Sequence, residues 1–196
     1  MQPVKLLLRL YVDYITMKYL FKYFLFCFLL IPSALFAQSS DEEVLEWNAS
    51  RRLSWADYKA SPNPESDAAA STTTYLGIDY DITSNSFRYK IYSRFSKTQS
   101  WGLHKTAYIL THEQGHFDIA EIFARKLYKK MSDYTFNKKT YEKDLKKIYE
   151  DVTKEKEEMQ NKYDKETNHS INKEEQADWL KKIAAMLDEY ADWADY

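Results

Sequence analysis

Cysteine is nearly missing from this chain, and its scarcity limits the chemistry the chain can use. The single cysteine, Cys27, lies within an apolar run near the N-terminus. Disulfides cannot hold the remaining chain together, and any metal site there must use nitrogen and oxygen donors. Long hydrophobic runs are also missing. The longest, Phe24 to Ile31, falls short of the roughly 20 residues that span a bilayer, so no stable membrane anchor is expected. Neither charge sign dominates. The formal net charge is −2, with 28 basic and 30 acidic residues mixed along the chain. Nucleic-acid binding relies on neutralising phosphates, so a nucleic-acid partner is not expected. Past the first 37 residues proline occurs only at Pro62 and Pro64, which marks Ser61 to Glu65 as a loop.

The N-terminus has the order of a secretory signal peptide. Lys18 and Lys22 form a basic start, Phe24 to Ile31 an apolar centre, Pro32 a break, and Ala37 a small residue before a cut. Residues 1–37 are therefore expected to be removed on export, to the periplasm or beyond. The signal is complete from Met17, an alternative start. Phe24-Leu-Phe26 before Cys27 leaves no small residue there, which argues against a lipid anchor at that cysteine. Residues 38–196 remain as one domain, long enough for a real core.

Strand patterns come first in that domain. Tyr75 to Ile82 and Phe87 to Phe95 read as strands. The second alternates Phe87, Tyr89, Ile91, Ser93 and Phe95 against Arg88, Lys90, Tyr92 and Arg94. Thr83 to Ser86 is turn chemistry, so the two form a hairpin. Helical spacing follows in three stretches: about Leu103 to Met131, Tyr141 to Tyr163, and Trp179 to Ala194, with a polar loop expected from Asp164 to Asn172. Strands before helices indicate an α+β fold, a small N-terminal antiparallel sheet followed by three long helices.

The first helical stretch carries His112-Glu-Gln-Gly-His116. Histidines four apart share one helix face and can reach one metal ion. Glu113, beside the first of them, can act as general base on a water that zinc acidifies. Gly115 costs about 1 kcal/mol against alanine inside a helix, so something should approach closely there. Glu121 is expected to pair with Arg125 four residues on. The tryptophans Trp47, Trp55 and Trp101 read as packing residues.

A third protein donor is needed. Ile119 and Ile122 occupy the places where a following glycine and third histidine would stand. His104 is about 12 Å from His112 along the helix axis. His169 in the predicted loop is the expected third donor, with Asp164, Glu166 and Glu150 as alternatives. Tyr163, next to that loop, is a candidate oxyanion donor.

Several segments together resemble a bacterial domain-of-unknown-function family. They are His112-Glu-Gln-Gly-His-Phe-Asp-Ile-Ala-Glu121, Ser54-Trp-Ala-Asp-Tyr58, Ser100-Trp101, and Tyr163-Asp-Lys-Glu-Thr-Asn-His169 with Gln176 and Trp179. The family's members are described as predicted secreted zinc-dependent proteases. The resemblance runs from about Leu53 to Trp179 and implies a zincin-like metallopeptidase acting on a peptide or protein substrate. The rival expectations are a non-catalytic exported protein that binds zinc or a partner, and a metal-free interaction domain.

Overall fold

The structure, a computed structural model, describes residues 43–83 and 87–196. The expected signal segment and most of the predicted hairpin turn lie outside the described residues. The fold is α+β. Among the described residues five short or medium strands, β1 (Val44–Glu46), β2 (Ala70–Ser71), β3 (Thr74–Ile82), β4 (Phe87–Ser96) and β5 (Trp101–Gly102), precede three α-helices, α1 (Ala107–Ser132), α2 (Tyr141–Thr167) and α3 (Lys173–Glu189). No helix among the described residues is long and apolar enough to cross a membrane.

The main sheet is antiparallel in the order β1-β4-β3. β3 and β4 pair from Thr74↔Phe95 to Ile82↔Phe87, so the two predicted strands form one continuous ladder. The alternation in β4 has its physical cause here. Ile91, Ser93 and Phe95 are buried on one face while Arg88 and Lys90 face water. β2 and β5 form a separate small pair.

Helix α1 departs from its expected form. Its spacing suggested one apolar face, yet most of it from His112 to Arg125 is buried. It is the central element, packed against the sheet and against both other helices. Ile119, Ile122, Phe123 and Leu127 join Ile91, Val152, Tyr163 and Ile183 in the main core. A smaller core holds Leu53, Tyr58, Phe95 and Phe117. α1 begins at Ala107, with Thr106 as N-cap accepting from the Ile109 amide, so Leu103 lies outside it and is exposed. α2 runs on through Asp164 to Thr167, where a loop was expected. That extra turn is what carries Asp164 to the site. α3 starts six residues before Trp179, at Lys173, and ends at Glu189.

Polar groups of α1 that face away from His112 and His116 tie down the N-terminal segment. Gln114 accepts from the Leu53 amide at 2.7 Å and donates to Asp118 at 2.9 Å. Asp118 also accepts from Trp47 Nε1 at 2.9 Å and takes a two-pronged bond from Arg52. Glu121 and Arg125 pair at 2.9 Å as expected, but the pair is buried. Tyr196 and the Leu187 carbonyl complete its hydrogen bonding, as a buried ion pair requires.

Candidate metal centre

His112 and His116 lie on the face of α1 that meets α2. Their Nε2 atoms are 3.1 and 3.0 Å from the same oxygen, Asp164 Oδ1. Among the described residues, these three form the group whose ligand atoms all fall within 4.8 Å of one another. The group lies in a cleft of about 450 Å³, lined also by Glu113, Thr72, Trp101, Gln160 and His169.

The outer ring nitrogens show how the imidazoles are set. Gln160 donates from Nε2 to the His116 carbonyl at 2.9 Å, which turns its Oε1 towards His116 Nδ1. An amide oxygen only accepts, so Nδ1 carries the proton. Gln176 Oε1 lies 3.0 Å from His112 Nδ1, although no second bond from its own Nε2 anchors that amide as one does for Gln160. In that tautomer a neutral ring would aim a bare Nε2 lone pair at a carboxylate oxygen. Acceptor faces acceptor, and only a cation or a bound proton relieves that. Metal-binding histidines usually have an accepting oxygen on the outer nitrogen, and here glutamine amides take the place of the commoner carboxylate, backbone carbonyl or water. A tetrahedral zinc site with bonds near 2.0 Å has ligand–ligand edges of about 3.3 Å; the two histidine-to-Asp164 separations are close to that, and all three donor atoms lie within 4.8 Å of one another. The donor set fits a zinc ion.

The titration behaviour follows from the same contacts. Burial alone would raise the Asp164 carboxyl, but hydrogen bonds and charge from His112 and His116 hold it well below the usual carboxylate range. Burial would lower His116. Hydrogen bonding and charge from Asp164, with the charge of Glu113, outweigh burial and raise it. A zinc ion held by these residues would have to displace that proton. Calorimetric titration with zinc in buffers of different ionisation enthalpy should therefore show proton release that is near its full value at pH about 6 and declines as pH is raised above His116's ordinary range. Acidification of a metal-held water would give the opposite trend, because its share shrinks at lower pH.

Tyr163 supports the site from behind, which corrects the reading of it as an oxyanion donor. It is fully buried, stacks on His112 with ring centroids 4.5 Å apart, and donates to the His112 carbonyl at 3.2 Å. Its hydroxyl is not free to face a substrate. It also explains Gly115. A Cβ there would stand 2.5 Å from the Tyr163 oxygen and 2.9 Å from its ring. The close approach is the crossing of α1 and α2. Gly115→Ala gains about 1 kcal/mol of helix propensity, while overpacking a buried site costs about 1–3 kcal/mol. The buried ring has little room to yield, so the variant should lose net stability. Thermal unfolding should show a Tm lower by a few degrees; an unchanged or higher Tm would contradict this account.

His169, the expected third donor, is placed beside the group. Its ring is 65% exposed and lines the cleft, with Nδ1 3.5 Å from Asp164 Oδ1. Asn168, His169 and Ser170 have φ of 47°, 50° and 73°. Three successive left-handed residues without glycine cost about 1–2 kcal/mol each. The His169 amide bonds to the Asp164 carbonyl, and the Asn172 amide to the Thr167 carbonyl, which hold the turn. Of the alternatives, Asp164 is brought to the histidines. Glu150 pairs with Lys146, and Glu166 accepts from Trp179.

Spacing alone missed Gln160 and Gln176. Gln160 had a signal, since it lies four residues before Asp164 on one face of α2. Gln176 had none beyond its place in the resemblance.

Fold and site together define an α+β protein with a part-buried two-histidine, one-carboxylate group at a helix crossing. The chain belongs to the bacterial family described as "Bacterial protein of unknown function (DUF922)", whose model matches residues 46–170. This agrees with the resemblance read from the motif segments, although Gln176 and Trp179 fall beyond the matched stretch. No curated protein and no solved structure matches the chain.

Proposed function

We propose that this chain is an exported zinc-dependent peptidase of zincin-like type, with His112, His116 and Asp164 as metal donors and Glu113 as general base. The observation that carries the reading is the convergence of two Nε2 atoms and Asp164 Oδ1 in a cleft that Glu113 also lines. Zinc bound there would act as a Lewis acid and lower the pKa of a coordinated water towards about 7.

The chain's own groups supply the remaining steps. Glu113 is buried and lies one residue from a donor on the same helix. It is suited to take a proton from water and return it to the leaving amine. His169 lines the cleft next to Asp164 and faces incoming substrate. One wall of the cleft runs from Ser66 through Ala68 to Thr74, all small residues. A wall of that kind fits an extended peptide main chain better than a bulky side chain.

The test joins metal analysis to cleavage. The purified protein should hold about one zinc per chain and hydrolyse members of a broad peptide library. Chelation should stop hydrolysis and zinc should restore it. A protein that holds zinc and cleaves nothing would favour the non-catalytic zinc-binding reading.

A further inference from the structure

A line of two hydroxyls ends on Glu113. Thr72 Oγ1 donates to Glu113 Oε2 at 2.6 Å. Tyr58, buried and packed edge-on against Phe95, has its hydroxyl 2.8 Å from the same Thr72 oxygen. A threonine hydroxyl carries one proton, and Thr72 gives its proton to Glu113. Tyr58 must therefore be the donor in the other bond. Both O–H dipoles point towards the carboxylate.

The backbone on both sides of Thr72 is hydrogen-bonded. Ser71 pairs with Trp101 in the β2–β5 ladder. The Thr73 amide donates to Ser100 Oγ at 2.9 Å, and the Thr73 carbonyl accepts from the Ser96 amide at 2.9 Å. Ser96 and Ser100 are fully buried. A threonine pinned on its following residue at both backbone atoms cannot follow a rotating carboxylate, so the carboxylate must conform to it. A hydrogen bond from a neutral hydroxyl to a carboxylate is also among the stronger kinds.

We propose that Thr72, oriented by Tyr58, is a positioning residue for Glu113. It occupies Oε2 and fixes the rotation of the carboxylate, which leaves Oε1 to receive the proton. Thr72 also lines the cleft, so the wall that meets substrate and the group that aligns the base are one segment. The catalytic consequence rests on the peptidase reading, whereas the clamp itself does not.

The experiment has two arms for that reason. The first uses metal-free full-length protein and no substrate. Thermal unfolding is measured for wild type, Thr72→Val, Glu113→Ala and the double variant. Each single change should lower Tm, and the double variant should lose clearly less than the two losses added, because the second change removes a bond already broken. Additive losses would overturn the clamp. The second arm measures kinetics on any peptide that wild type cleaves. Thr72→Val should keep its zinc and its KM within about twofold. Its kcat should fall about 10- to 100-fold, the range for a lost hydrogen bond to a charged group. Thr72→Ser should restore most of kcat. Tyr58→Phe should reduce kcat less, and should reduce it no further when added to Thr72→Val. An unchanged kcat in Thr72→Val, or no recovery in Thr72→Ser, would overturn the positioning role. A wild type without activity would defeat the peptidase reading alone, and the first arm would still decide the clamp.

Discussion

Glu113→Gln is expected to lower kcat by about 100- to 10,000-fold, the usual contribution of a general base, while zinc content and Tm stay close to wild type. The substitution is nearly isosteric. A glutamine oxygen can still accept from Thr72 at the Oε2 position, so the local packing survives. What disappears is the carboxylate's capacity to hold a proton. Glu113 is also outside the convergent group of His112, His116 and Asp164, so metal affinity should be little changed. The measurement is kcat and KM on a cleaved library peptide, with metal analysis on the same preparation. Cleavage at the wild-type rate would exclude Glu113 as the base. Loss of zinc together with activity would show instead that Glu113 holds the metal.

Asp164→Ala should all but abolish zinc binding, and His169→Ala should not. Loss of an outer-shell partner typically weakens metal affinity by about 10- to 100-fold, and removing a direct donor should exceed the upper end of that range. Asp164 contacts both Nε2 atoms, whereas His169 reaches only Asp164, at 3.5 Å, and stays largely exposed. Competition titration with a chromophoric chelator would measure both variants. The reverse pattern, with zinc kept in Asp164→Ala and lost in His169→Ala, would restore the histidine as third donor. Equal retention in both would mean that the site is not built around this group. Both variants should fold, because the main core is formed by other residues of α1 and α2.

Much of this architecture could be read from local pattern. Period-two alternation placed β4 to within a residue, because each residue of a half-buried strand meets either core or water. Three helical stretches followed from three- and four-residue spacing, and the same-face arrangement of His112 and His116 follows from helix geometry alone. Ends were read less well. The stretch from Asp164 to Asn172 reads as a polar loop, and a turn is there, but it begins at Asn168, four residues later than expected. Helical hydrogen bonding carries α2 through Asp164 before Asn168 turns left-handed.

That small difference decides the site. Had α2 ended at Tyr163, Asp164 would belong to a loop and His169 would be the natural donor. As the helix continues, Asp164 follows Gln160 by four residues and shares its face. Both then point at α1.

By itself, the sequence determined the class of fold, the helix bearing both histidines, and the position of Glu113 beside them. Those properties depend on residues within a few positions of one another. Only the tertiary structure decided which carboxylate meets the two histidines, which glutamines lie on their outer nitrogens, and the hydrogen bonds from Tyr58 through Thr72 to Glu113. These partners lie between 41 and 64 residues from the α1 groups they serve. Their meeting depends on how α1 and α2 cross and how the β2–β3 segment lies over them. The crossing is set by Gly115 admitting the Tyr163 ring, a match of shape between distant residues that no local periodicity encodes.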